Sequence, residues 1–303
     1  MTVEAGCTIA ALQRELAERG QRLGLDPPWP ALATVGGVVA TNDSGPLRTR
    51  YGSVRNLLLG ATVALADGTL ARSGGRVVKN VAGYDLPKLV AGSLGTLGVL
   101  VEATFRLHPL PRETRDETFA FASPAEAQAF ALAVADSTLT PSCVQLRASD
   151  EGTFVDVRFE GAEGATASQA ARLASLGGDR VAADSEVWAA TERLRAAGAF
   201  VVKVGVRPAA MGGLVERVAG LGGSWSVVVQ SDGVGFVRVE GGVEELRRTS
   251  GVAYAVVWGC PSGAKDGLDV WGPGQEALGL MRRVKERFDP RRTLNAGRYV
   301  GGI

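Results

Sequence analysis

Glycine placement constrains this chain more than any other feature. Glycine supplies 41 of the 303 residues, about twice the usual share of ~7%, and the excess is clustered. Between residues 31 and 112 four glycine-bearing strips follow one another: ATVGGVVATNDSG, RYGSVRNLLLG, GGRVVKNVAGYDL and VAGSLGTLGVL. A single Gly-Gly is more often a turn than a binding loop. Here each strip also carries polar side chains with free donors: Thr41, Asn42 and Ser44; Tyr51 and Ser53; Lys79 and Asn80; Ser93 and Thr96. Backbone N–H groups freed by glycine form concave anion sites suited to a pyrophosphate. The missing Cβ also lets the chain pass close to a flat ring. The residues alone therefore point to a buried, planar, phosphate-bearing cofactor.

Composition removes several classes of function. Lys and Arg number 33 against 32 Asp and Glu, so the chain builds no basic field for nucleic acid or an anionic membrane. Cys7, Cys143 and Cys260 are far apart and form no Cys-x-x-Cys pair. A disulfide framework and a cysteine-held iron–sulfur cluster are thus not expected. No apolar run reaches the length of a membrane-spanning helix. The opening MTVEAGCTIA lacks the basic-then-apolar pattern of a signal peptide, and the expected location is cytoplasmic.

The pattern along the chain changes twice. A short strand at 2–5 leads to Thr8, a predicted N-cap. Ile9, Leu12 and Leu16 then recur at helical spacing, and Gly20 ends the helix. The Asp67–Gly68 pair between two apolar runs predicts a hairpin. Gly92, Gly95 and Gly98 precede a strand at 99–107, and Pro109 and Pro111 close the segment. From about 113 to 255, strands and helices recur in two similar rounds. This predicts a duplicated βαββ-type unit forming one antiparallel sheet with helices on a face. The tail carries a predicted helix over 274–288, where Arg282, Arg283, Lys285 and Arg287 would suit the helix C-terminal dipole. A docking face for an acidic partner is the other reading of that basic cluster.

The strings ATVGGVVATNDSGPLRTRYGSVRNLLLG and GGRVVKNVAGYDLPKLVAGSLGTLGVL resemble the second half of the FAD domain in PCMH-type (vanillyl-alcohol-oxidase-type) flavoproteins. KNVAGYDL, the opening VEAGCTIAALQRELAERGQRLGLDPP and the closing FDPRRTLNAGRY are similar to the FAD-binding subunits of bacterial glycolate oxidases. The resemblance implies an α+β protein in three parts. Residues 1–112 would be a partial FAD-binding domain, residues 113–255 an antiparallel-sheet α+β cap domain, and residues 256–303 a helix and tail packing back on the FAD domain.

It also implies a site. Gly36, Gly37, Thr41, Asn42, Ser44 and Gly45 match the loop along the FAD pyrophosphate and ring; Tyr51, Gly52 and Ser53 match the next contact strip. Gly92, Gly95, Thr96, Gly98 and Val99 match the stretch near adenine and ribose, and Asn295 matches an asparagine that returns to the flavin. Lys79, Asn80, Tyr84 and Asp85 belong to KNVAGYDL, with a scaffolding role beside the ring; for Tyr84 and Asp85 a turn held by side-chain hydrogen bonds is the other reading.

Two departures from the family shape the expectation. The family's Gly-x-Gly-Thr pyrophosphate loop precedes the VEAG strand, which here starts at Val3, so the FAD domain is expected to be N-terminally truncated. Hydroxyacid-oxidising relatives use several histidines for metal and substrate, whereas this chain has one, His108, expected to be structural. No metal site and no catalytic residue is assigned. The implied role is the FAD-binding subunit of a glycolate oxidase, turning glycolate into glyoxylate. Its partners would be a paralogous catalytic FAD subunit and an iron–sulfur subunit. The alternatives are a self-sufficient FAD-dependent 2-hydroxyacid dehydrogenase and a truncated, non-catalytic structural partner.

Overall fold

The computed structural model describes residues 1–75, 85–194, 198–273 and 276–303. It divides into two compact units, Met1–Leu110 with Pro273–Ile303, and Pro111–Gly272.

The first unit begins with β1 (Thr2–Glu4). Thr8 then caps α1 (Ile9–Ala17), its side chain accepting from the Ala11 amide. The predicted stripe of Ile9, Leu12 and Leu16 is buried, and a left-handed Gly20 follows the helix. After β2 (Gln21–Arg22) come α2 (Val35–Thr41), α3 (Arg48–Tyr51) and α4 (Val54–Leu57). Next is the hairpin of β3 (Leu58–Ala64) and β4 (Leu70–Gly74), turned at Asp67–Gly68 as expected. Then α5 (Leu86–Val90), β5 (Val99–Phe105) and β6 (His108–Pro109) complete this part. A four-stranded sheet of order β1-β5-β3-β4 forms, and β2 pairs separately with β6. The core beneath gathers α1, α2 and α4 around Val35, Val38, Val54, Leu57 and Phe105.

The second unit is a repeat. Its first round is β7 (Glu113–Phe121), α6 (Pro124–Asp136), β8 (Cys143–Ser149), β9 (Gly152–Gly161), α7 (Ala165–Ala174) and β10 (Asp179–Val181). A short helix, α8 (Ala190–Arg193), leads to the second round. That round is β11 (Phe200–Val206), α9 (Met211–Ala219), β12 (Ser226–Gln230), β13 (Val234–Val239), α10 (Val243–Arg247) and β14 (Val252–Gly259). The eight-stranded sheet has the order β10-β7-β9-β8-β12-β13-β11-β14. Each round thus contributes its strands in the order fourth, first, third, second, and the two second strands, β8 and β12, join antiparallel at the centre. The duplication expected from the sequence is present, as βαββαβ.

Alternation along the strands explains the two faces. Val155, Val157 and Phe159 of β9 and Val202, Val204 and Val206 of β11 point to α6, α7, α9 and α10, the period-two pattern of a half-buried sheet. On the other face Asp156 is fully buried. It accepts from Thr118 Oγ1 and Gln145 Nε2 at 2.9 Å, and from both Nε and Nη2 of Arg147. The expected tail boundary at 256 falls inside β14, and the Val257 amide bonds the Val270 carbonyl. Those ladder and loop bonds keep residues through 272 in this unit.

The chain returns to the first unit with α11 (Leu278–Phe288); positions 274 and 275 of the predicted helix lie outside the described residues. Lys285 is set apart from the other basic residues of α11 by its burial. Lys285 does not join Arg282, Arg283 and Arg287 as a solvent-facing cation: it is 3% exposed and paired with Asp289. No helix among the described residues is long and apolar enough to cross a membrane.

Candidate functional site

Four distant stretches of the first unit converge on one cavity of ≈ 510 Å³. The end of β1 brings Ala5 and Gly6, and α2 brings Gly36, Gly37, Val39 and Ala40. The loop from Ser93 to Leu100 supplies a third wall, and Thr293, Leu294 and Asn295 of the tail supply the fourth. Val63 and Val90 add apolar surface. The volume lies within the roughly 300–1,000 Å³ common for small-molecule and cofactor pockets.

Local chemistry explains why each wall stands where it does. Thr34 caps α2 by accepting from the Gly37 amide at 3.2 Å, while the Gly36 amide donates to the Ala5 carbonyl at 2.8 Å. A Cβ at position 36 would sit 3.0 Å from the Ala5 Cβ and 3.1 Å from its carbonyl oxygen, so a side chain there would push the segment after β1 away from the helix. At the other end of α2, the Val39 and Ala40 carbonyls accept from the Gly92 and Leu94 amides at 2.9 and 2.8 Å. The loop thereby satisfies acceptors that a helix C-terminus leaves open.

The tail is latched to that loop at two points. Asn295 Nδ2 donates to the Leu94 carbonyl at 2.6 Å. Leu94 and Asn295 both have positive φ, 52° and 44°, a conformation costing a non-glycine residue on the order of 1 kcal/mol. Between the latches Gly95 has φ +72°, and a Cβ there would meet Asn295 Nδ2 at 3.0 Å. The second latch is Lys285. Its ammonium donates to the Thr96 carbonyl (2.8 Å), the Leu294 carbonyl (2.8 Å) and Asp289 Oδ2 (2.6 Å). Asp289 also accepts from the Thr293 amide and hydroxyl and from the Leu294 amide. Burial opposes ionisation of Asp289, but Lys285 and these amides outweigh it and hold the carboxyl far below the usual aspartate range.

Of the residues expected from the sequence, Gly36, Gly37, Gly95, Gly98, Val99 and Asn295 line the cavity. Gly92 and Thr96 belong to its loop without lining it; the Thr96 hydroxyl donates to the Ser93 carbonyl at 2.7 Å. Thr41 donates back to the Gly37 carbonyl at 2.9 Å. Asn42 ends α2 in the left-handed region, and its buried Oδ1 has no partner among the described residues. Ser44 accepts from Arg48 Nη1 at 3.0 Å. Gly45 sits where a Cβ would be 1.9 Å from the Asp26 carbonyl oxygen, so packing alone explains that glycine. Tyr51, Gly52 and Ser53 lie elsewhere: Gly52 follows α3, and Ser53 opens α4 in a capping box with Asn56. Lys79, Asn80 and Tyr84 fall outside the described residues. Asp85 caps α5 through the Lys88 amide at 3.1 Å.

His108 is not at the cavity. Its ring lies 4.5 Å from that of Tyr51, whose hydroxyl accepts from Arg22 Nη2 at 2.8 Å. Burial, then the charges of Arg106, Arg22 and Arg50, push the His108 pKa down. Sequence reasoning missed the Lys285–Asp289 pair. Its i,i+4 spacing was visible, but nothing in the spacing distinguishes a buried pair from a surface one.

A family model described as "FAD binding domain" matches residues 1–74, and one described as "FAD linked oxidases, C-terminal domain" matches residues 272–299. Both ends of the chain, each of which contributes to the cavity wall, thus match models of FAD-linked proteins, and FAD is the cofactor these matches indicate. Among curated proteins, the chain is 42% identical over 113 residues to glycolate oxidase subunit GlcE of Escherichia coli K12, covering 37% of this chain and 32% of that protein. It is 42% identical over 110 residues to D-lactate dehydrogenase of Archaeoglobus fulgidus, covering 35% and 25%. The matched stretches thus span a third or less of either relative. Among solved structures, an alkyldihydroxyacetonephosphate synthase superposes with TM-score 0.64 at 16% identity, covering 97% of this chain and 62% of that one. The fold is that expected from the resemblance, α+β with a PCMH-type FAD-binding domain.

The residues fit the cofactor. Gly6, Gly36, Gly37 and Gly95 open backbone to the cavity without side chains, and Val39, Val63, Val90 and Leu100 supply an apolar wall.

Proposed function

We propose that this chain is the FAD-binding subunit of a glycolate oxidase or dehydrogenase complex, converting a 2-hydroxyacid, glycolate, into its 2-oxoacid, glyoxylate. The observation that carries the reading is the cavity itself, which residues of both segments matching FAD-linked oxidases line together with the glycine loop at 93–100. Gly36, Gly37, Gly95, Gly98, Val99 and Asn295 would hold the cofactor. Asn42 would sit close to it, with an acceptor left unpaired. Bound FAD would supply a hydride acceptor; what this chain contributes is a cavity with an apolar wall, bare glycine backbone and a latched tail.

Proton removal from the substrate hydroxyl needs a base, usually histidine near neutral pH. The one histidine of this sequence packs against Tyr51 in a tilted pair, so in this reading the base comes from outside the 303 residues. A paralogous catalytic FAD subunit fits that need, and an iron–sulfur subunit would take the electrons onward. The reading places the complex in the cytoplasm or, held there by its partners, at the inner-membrane surface.

The test has two stages. The purified chain should show the visible absorbance of a bound flavin. Co-expressed with its catalytic partner, it should support glycolate-dependent reduction of an artificial electron acceptor. A chain that never retains flavin, alone or in a complex, would sink the cofactor role. Turnover of glycolate by the lone chain would instead establish the self-sufficient dehydrogenase.

A further inference from the structure

The buried lysine of α11 is not among the cavity's lining residues. Lys285 is 3% exposed and Asp289 is fully buried. A buried ion pair is rarely a net gain in stability over apolar residues of the same volume. Its retention therefore calls for a geometric reason, and the contacts supply one. All three ammonium hydrogens have acceptors, and two of these are backbone carbonyls on opposite walls of the cavity, Thr96 in the glycine loop and Leu294 in the tail. Asp289 fixes the same tail through the Thr293 and Leu294 amides. Thr293 and Leu294 line the cavity, as do Leu94 and Gly95, the residues just before Thr96. The Asn295 latch to Leu94 lies on the other side of Gly95. The two latches flank Gly95, a cavity-lining residue with a left-handed backbone.

We infer that Lys285 is a positioning residue for the FAD cavity: held by Asp289, its ammonium clasps the Thr96 and Leu294 carbonyls and sets the distance between the glycine loop and the tail. A point charge with three donors is needed because the carbonyls converge from different chain segments. An apolar residue would fill the volume and leave both walls free to part. The inference rests on the FAD-binding reading, and it makes cofactor binding depend on a residue that does not line the wall itself.

The experiment compares the wild-type full chain with Lys285→Met and Lys285→Arg, measuring FAD affinity by titration well below each melting temperature and melting each apo protein separately. A positioning role lowers the affinity of folded Lys285→Met by about tenfold or more, the loss of a hydrogen-bonded wall, with partial recovery in Lys285→Arg. A folded Lys285→Met with wild-type affinity and only a lowered melting temperature overturns the inference and leaves the FAD reading intact. Wild-type protein that binds no FAD overturns both. Hydrogen exchange on the wild type gives an answer even where Lys285→Met does not fold. Added FAD should slow exchange in the peptides covering 94–98 and 289–296 together, and protection confined to the loop would count against the clasp.

Discussion

The Lys285 ammonium lies 2.8 Å from the Thr96 carbonyl oxygen, although the two residues are 189 positions apart. Through that contact the end of the chain becomes part of a cavity whose other walls come from its first hundred residues. Asn295 repeats the arrangement from the tail, reaching Leu94 across 201 positions. The tail, which falls in the segment matching FAD-linked oxidases at 272–299, thus meets the glycine loop of the first unit, and residues of both line the cavity.

Removing one member of the buried pair should cost more than removing a surface ion pair. Asp289→Ala strands the Lys285 charge and frees the Thr293 and Leu294 amides, with an expected loss of about 3–5 kcal/mol. Chemical denaturation would measure it; a loss below about 1 kcal/mol would mean that water reaches the site.

Two titrations should separate on the pH axis. His108 has a depressed pKa in the folded chain, so the folded state binds fewer protons there than the unfolded state does. Stability is then full above about pH 6.5 and declines as pH falls below it. Asp289 is also depressed, and its contribution is present above the ordinary carboxylate pKa of about 3.9 and lost below it. Melting curves from pH 8 to 3 should show a shallow early decline and a steeper late one. His108→Gln should remove the first alone.

Gly95→Ala tests the space between the latches. The new Cβ would sit 3.0 Å from Asn295 Nδ2 in a left-handed backbone, which disfavours alanine by about 1–2 kcal/mol. The expected result is weaker flavin binding with a folded apo protein; unchanged affinity would show that the loop and Asn295 move apart at no cost.

Asn295→Ala removes one neutral hydrogen bond, worth about 1 kcal/mol. Apo stability should change by no more than that, while the flavin off-rate rises. An unaltered off-rate would leave Lys285 as the latch that matters.

Asp156→Ala concerns the second unit alone. It leaves Arg147, Gln145 and Thr118 without their shared acceptor, and leaving buried donors of this kind unpaired costs about 3 kcal/mol or more. Thermal melting would detect the loss, and flavin binding by the first unit should be unaffected.

Local signals in the sequence suffice where one short stretch decides the structure. The Thr8 cap, the stripe of Ile9, Leu12 and Leu16, and the Asp67–Gly68 turn depend on neighbours within a few residues, and all three are present. The repeat of the second unit was visible as two rounds of alternating patterns, whereas β10, three exposed residues at a sheet edge, carries no burial signal. Within the glycine strips the sequence could not separate glycines that face a ligand from those that let chains pack. Gly36 and Gly45 look alike in the sequence, yet one lines the cavity and the other lies against Asp26.

What the sequence by itself determined is the class: glycine strips of one pattern, two matching ends, and a near-neutral, loosely spaced chemistry without a histidine set. Those properties are carried by residue type and order. Only the tertiary structure decided which residues share a wall, that Lys285 is a buried clasp rather than a surface cation, and that His108 packs against Tyr51 away from the cavity. Burial and partner choice depend on segments far apart in the chain. The pairing of Lys285 with Thr96, like that of Asn295 with Leu94, leaves no periodicity or spacing by which to read it in advance.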